Sequence, residues 1–85
     1  MDIQIGEISH YYDKLCVAVI EVAAQKLKVG DIIRISGHDK EFTQEVESLQ
    51  VEHDKVQEVS PGESAGLKVD EPVKAGDRVF LVTSK

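Results

Sequence analysis

The chain has 85 residues, 41% of them hydrophobic and 31% charged, with a formal net charge of −6. That length makes a single domain, spanning residues 1–85, that buries roughly 60–65% of the surface its unfolded form exposes. The acidic balance makes it a poor general binder of nucleic acid, whose phosphates demand Lys and Arg, and no apolar run approaches the ~20 residues of a membrane span.

Ile3, Ile5 and Ile8 open the apolar pattern as a first strand, and Gly6 breaks its alternation. That glycine predicts a bulge or a close backbone approach. Ser9 to Lys14 reads as a polar-aromatic turn holding His10, Tyr11 and Tyr12. Two adjacent tyrosines in extended chain point to opposite faces, so at least one is expected at the surface. Leu15 to Val22 is an apolar run whose Val and Ile content favours a strand over a helix. Cys16 falls within it and reads as a small buried hydrophobe. A helical turn at Ala23 to Lys26 is possible, but Gly30 arrives too soon for a long helix. Ile32 to Ile35 is a third strand.

Phe42 to Val51 reads as one long strand with a fault. Phe42 and Val46 share one parity, whereas Leu49 and Val51 share the other, so a bulge or sharp bend is predicted near Glu47-Ser48. The acids between Asp39 and Glu58 form a solvated face. His53 to Lys55 reads as a turn, Val56 and Val59 as packed connecting residues, and Pro61-Gly62-Glu63 as a strong turn. Ala65 to Val69 is a strand carrying Gly66, and Arg78 to Val82 is the last strand.

One phrase occurs twice. Leu27-Lys28-Val29-Gly30-Asp31 and Val73-Lys74-Ala75-Gly76-Asp77 each place an apolar residue, a lysine and a Gly-Asp turn before a strand. Glycine supplies the positive φ of such a turn, and aspartate bonds its own backbone. Short strands with regular turn punctuation predict an all-β fold, a six-stranded closed antiparallel β-barrel.

Little in the sequence suggests chemistry. His10, His38 and His53 lack ligand spacing, so no metal site is expected. Asp13, Asp31, Asp39, Asp54 and Asp77 lie in or beside predicted turns, which accounts for them without a catalytic role. There is no Gly-rich phosphate loop, so no GTP binding by this chain, and no cofactor is implied. The lone Cys16 permits no intramolecular disulfide and suits a reducing compartment. The first residues lack the basic and apolar regions of a signal peptide. Together these predict a cytoplasmic protein.

Leu27–Ser36, Val46–Val69 and the Gly-Asp turn of Val73–Phe80 resemble the second domain of translational GTPases such as elongation factor Tu, from roughly Ile5 to Val82. The chain is also similar to stand-alone translation elongation factor-like small proteins and to the C-terminal barrel of collagenase-like peptidases. The resemblance implies a barrel of the translation-factor domain 2 type and a non-catalytic binding or accessory module linked to translation, with RNA, tRNA or a translation-related protein as partner. Alignment with elongation factor Tu places Gln50 and Ser64 at polar positions of its aminoacyl pocket. Tyr11 and Tyr12 with Gln50 and Ser64 are therefore the candidate binding residues. Two alternatives stand beside this: a module docking on an enzyme or GTPase through its acidic face, and a detached accessory barrel of a collagenase-like peptidase.

Overall fold

The computed structural model describes residues 2–37, 40–52 and 54–82. These form ten strands and no helix. In chain order they are β1 (Asp2–Tyr12), β2 (Val17–Val22), β3 (Leu27–Lys28), β4 (Ile32–Ser36) and β5 (Glu41–Glu45), then β6 (Leu49–Val51), β7 (Asp54–Val56), β8 (Glu58–Val59), β9 (Ser64–Lys68) and β10 (Arg78–Val82). Eight of them build one antiparallel sheet in the order β5-β4-β10-β1-β2-β9-β6-β7, and β3 pairs with β8 in a separate two-stranded ribbon.

The all-β reading holds, but the strands outnumber the six expected. Those missed are short: β3 and β8 have two residues each and β7 three. Among the described residues no ladder joins the edge strand β5 to the edge strand β7. The sheet instead wraps one core. Ile5, Ile8, Ala18, Ile20, Leu27, Ile33, Val46, Leu49, Val59, Leu67 and Val79 are each 1% exposed or less. These residues come from both sheets, so the ribbon and the large sheet share one interior.

The seam beside β5 is bridged by a side chain. Gln44 is the single buried polar residue described, 6% exposed. Its Nε2 donates to the Lys68 carbonyl at 2.9 Å, and its Oε1 accepts the Asp70 N–H at 2.8 Å. One amide thus satisfies a backbone donor and a backbone acceptor at the end of β9, where burial without partners is costly. On the outer face nearby, Arg34 lies 4.5 Å over the Phe80 ring and pairs with Asp2 and Glu41, tying β4 to β10, β1 and β5.

The twice-repeated phrase occurs in space three times. Lys28–Asp31, Ser60–Glu63 and Lys74–Asp77 form the same four-residue turn. In each, the first N–H donates to the fourth residue's carboxylate: Lys28 to Asp31 Oδ2 at 2.9 Å, Ser60 to Glu63 Oε1 at 3.0 Å, Lys74 to Asp77 Oδ2 at 2.9 Å. The fourth N–H returns to the first carbonyl at 3.1, 3.1 and 3.0 Å. The third residue is Gly30, Gly62 or Gly76, at φ 100°, 93° and 97°, as a type II turn requires. Each glycine N–H then donates to a buried residue of another segment: Val46, Val22 and Ile8, at 2.8, 2.7 and 2.7 Å. Those residues donate back to the carbonyls of Asp31, Glu63 and Asp77 at 2.8, 2.9 and 2.8 Å. Every turn is therefore clamped by a reciprocal pair of backbone bonds.

The bulge expected at Gly6 is present as a register shift between Gln4 and Gly6. A Cβ there would stand 2.1 Å from the Glu21 carbonyl oxygen, so the close approach is real too. The fault in Phe42–Val51 proves to be a complete break at 46–48, after which β6 pairs with β7 and β9 instead of β4. Several expectations need correction. Tyr11 and Tyr12 end a strand rather than sit in a turn, because β1 runs on to pair with Val17 and Ala18. Leu15 and Cys16 lie in that hairpin's turn, where both are exposed and Cys16 takes φ 57°. Asp54 and Lys55 lie in β7, paired with Val51 and Gln50. The alanines after β2 form no helix, since the N–H groups of Ala23 and Ala24 both donate to the Ile5 carbonyl, at 2.6 and 3.2 Å. His38, Asp39 and His53 lie outside the described residues.

Substituting Gly30, Gly62 or Gly76 by alanine will lower stability by roughly 1–2 kcal/mol each, the cost of forcing an L-residue into the left-handed region; urea unfolding measures this. Gln44→Leu will cost about 1–3 kcal/mol by the same measurement, because the Asp70 N–H and Lys68 carbonyl lose their partner.

Candidate functional site

The outer face of the large sheet carries the candidate residues, and strand register decides which of them meet. His10 lies opposite Val19, Val19 opposite Gly66, Gly66 opposite Gln50, and Gln50 opposite Lys55. This row crosses β1, β2, β9, β6 and β7 on one face. At its centre Gly66 has no side chain, so the row dips. The depression has a volume of about 460 Å³ and is lined by Val19, Gln50, Glu52, Glu63, Ser64 and Gly66, among others. A smaller hollow of about 160 Å³ shares Gln50 and Gly66 and adds Val17, Ser48 and Lys68. The two make one groove along β9 from Ser64 to Lys68, roughly 13 Å at 3.3 Å per residue.

Gln50 and Ser64, fourteen positions apart in the chain, are therefore brought together. Tyr12 shares their outward face but stands beyond β2, opposite Val17. It is 48% exposed and packs against His10 with ring centroids 4.3 Å apart. Tyr11 points the other way and packs against the core. Desolvation, then the neighbouring Cys16 and Asp13, push its hydroxyl pKa upward, so it is a neutral group at neutral pH. The expectation that adjacent tyrosines split between faces is met, while the four candidates do not form one cluster.

Sequence reasoning passed over Val19, Glu52, Glu63 and Gly66. The available signal was Gly66, a glycine inside a strand. Glu52 and Glu63, eleven positions apart in the chain, come to line one hollow through the pairing of β6 with β9. Glu63 has a structural duty in its turn, and Glu52 follows β6 at φ 51°. The acids at 41, 45, 47, 52, 54 and 58 are all exposed, as a solvated face requires. Among the described residues no three His, Cys, Asp or Glu side chains group to hold a metal, and no helix is long and apolar enough to cross a membrane.

Comparison with known proteins places this fold. An uncharacterised protease of Methanocaldococcus jannaschii is 40% identical over 81 residues, which are 94% of this chain and 20% of the protease. The chain thus spans about one fifth of the curated relative it matches. Two crystal structures of the C-terminal domain of a Geobacillus thermoleovorans protein assigned as a U32 peptidase share the fold. One superposes with a TM-score of 0.87 at 18% identity, covering 96% of this chain and 93% of that domain. The other, a selenomethionine variant, gives 0.84 at 19% identity, covering 89% and 95%. No family model matches the chain. These neighbours correspond to the peptidase-barrel alternative of the sequence reading, and none of them is named as a translation factor.

Tyr11→Ala will destabilise the protein by about 2 kcal/mol through lost core packing, whereas Tyr12→Ala will change stability by less than about 0.5 kcal/mol; thermal or urea unfolding of the two variants separates the inward ring from the outward one.

Proposed function

We propose that this chain is a non-catalytic accessory module that works beside a U32-peptidase-type catalytic body in the cytoplasm. The observation that carries this reading is the placement of the match. Identity at 40% runs through nearly the whole chain yet occupies one fifth of a protein named as a protease, and the same fold stands as a C-terminal domain in a second such protein. The larger part of the relative, outside the matched segment, is then where bond cleavage takes place.

The groove suits such a role. It offers the Gln50 amide and the Ser64 hydroxyl over an apolar floor, groups that recognise by exchanging hydrogen bonds. On this reading the wrapped sheet is a barrel whose seam is closed through the Gln44 amide rather than by a strand ladder. Such a closure leaves the outer face of β2, β9 and β6 as a rigid platform for contact.

The direct check uses the Methanocaldococcus relative with its matching 81-residue segment removed. Adding this chain in trans will give a complex that co-elutes on size exclusion and will raise hydrolysis of an unfolded protein substrate above that of either component. Hydrolysis by this chain alone would end the accessory reading. So would the absence of a complex together with tRNA-induced NMR shifts at Tyr12, Gln50 and Ser64, an outcome that favours the translation-linked role.

A further inference from the structure

Apolar side chains turn away from the core on the outer face of β4 and β10. Phe80 lies opposite Arg34 in the ladder, and Ile32 and Val82 stand two positions from them on the same side of the pleat. Ile32 is 41% exposed, and Phe80 and Val82 are half-buried. None of the three is among the described residues that form the core or pack against it. Single apolar residues scattered over a surface need no explanation, but a contiguous apolar patch marks a contact.

The patch is ordered before anything meets it. Arg34 lies over the Phe80 ring and is held there by Asp2 and Glu41, which sets an aromatic ring and a guanidinium, both enriched in contact surfaces, in fixed positions. The charges around the patch are of both signs: Arg34 and Arg78 on one side of the balance, Asp2, Glu41 and Glu45 on the other. No single sign selects a charged ligand. The attraction this face offers is burial of its apolar centre.

Its place in the fold says what covers it. The patch surrounds the start of β1: Asp2 lies opposite Val82 and pairs with Arg34, and Gln4 lies opposite Phe80. In the Geobacillus protein the same fold is the C-terminal domain, so the rest of that protein joins it ahead of the strand equivalent to β1. In the Methanocaldococcus protease only one fifth of the chain is matched, and the body that makes up the remainder is large enough to cover a whole face. A body joined ahead of β1 lies beside Ile32, Phe80 and Val82. The other large apolar residues exposed among those described, Tyr12 and Leu15, stand at or just beyond the opposite end of β1. The groove over Gly66 is on β9, three places from β10 in the sheet order.

We infer that the face of β4 and β10 around Ile32, Phe80 and Val82 packs against an apolar patch of the U32-peptidase-type catalytic body. The inference rests on the accessory reading and adds which side of the module is buried. With this face covered, the Gly66 groove and the tip bearing Tyr12 and Leu15 stay at the surface.

The test replaces the matching segment of the Methanocaldococcus relative with this chain, so that body and module are present in one full-length chimaera. Ile32→Cys is labelled with a maleimide and read by peptide mass spectrometry, with the native, exposed Cys16 as the reference. Position 32 will label several-fold more slowly in the chimaera than in the isolated chain, while Cys16 keeps its rate in both. Ile32→Lys, set opposite Glu45 where a cation is accommodated, will keep the unfolding midpoint of the isolated chain. The same substitution will weaken its complex with the relative lacking the segment by about tenfold, as loss of an apolar residue at a contact centre does. Equal labelling of position 32 in the two proteins would overturn the inference, and so would protection of Cys16 in its place. Self-association of the isolated chain that Ile32→Lys abolishes would also overturn it, since a second copy is then the occupant. Hydrolysis by the chimaera separates this outcome from the accessory reading. If it cleaves an unfolded protein faster than the relative lacking the segment while position 32 labels freely, the module is an accessory that docks by another face.

Discussion

Three reciprocal turn clamps hold this molecule together. Each pairs a glycine N–H and an acidic residue's carbonyl with both backbone groups of one buried residue: Val46, Val22 or Ile8. These are places where strands stop or shift register. β5 ends just before Val46, β2 ends at Val22, and β1 changes register after Ile8. A chain that bends out of its ladder leaves N–H and C=O groups without partners in the interior, where they are costly. The clamps supply those partners, and this is why the sheet can turn sharply around a small core.

The same logic accounts for Gln44. Its strand, β5, is an edge, and the neighbouring backbone at Lys68 and Asp70 needs a donor and an acceptor. A primary amide offers a donor and an acceptor on two separate atoms, as these two backbone groups require. A polar residue in a core position is therefore part of the packing. The β2–β9 and β6–β9 ladders hold these strands in register and make their outer face a defined surface. The groove over Gly66 depends on that register, because it exists only where a glycine is flanked by Val19 on one side and Gln50 on the other.

Local patterns were the legible part of the fold. The Gly-Asp turns, the bulge at Gly6 and the fault between Val46 and Leu49 all rest on neighbours in the chain, and all are present. The third clamp was harder to see, because Ser60-Pro61-Gly62-Glu63 keeps only the glycine and an acid; its equivalence lies in hydrogen bonds rather than in letters. Cys16 and Leu15 misled for a related reason. An apolar run looks like strand whether or not its first residues fall in a hairpin turn, and the place of that turn was set by how far β1 extends. The candidate site was half visible. Gln50 and Ser64 were singled out and do meet, whereas Tyr11 packs inward and Tyr12 stands beyond β2.

Local sequence is enough to specify that the chain is built of β-strands, where its glycine-containing turns lie and that its surface is acidic, since composition, glycine placement and side-chain alternation act over a few residues. Tertiary structure alone decided which strands are neighbours. That choice brought Glu52 and Glu63 to the lining of one hollow, set Glu7 opposite both Glu21 and Arg78, and set Gln50 opposite an open Gly66. The reason is physical: partners are selected by the joint burial of one core and by satisfaction of the backbone at each bend, and both are sums over the whole chain that no local stretch contains.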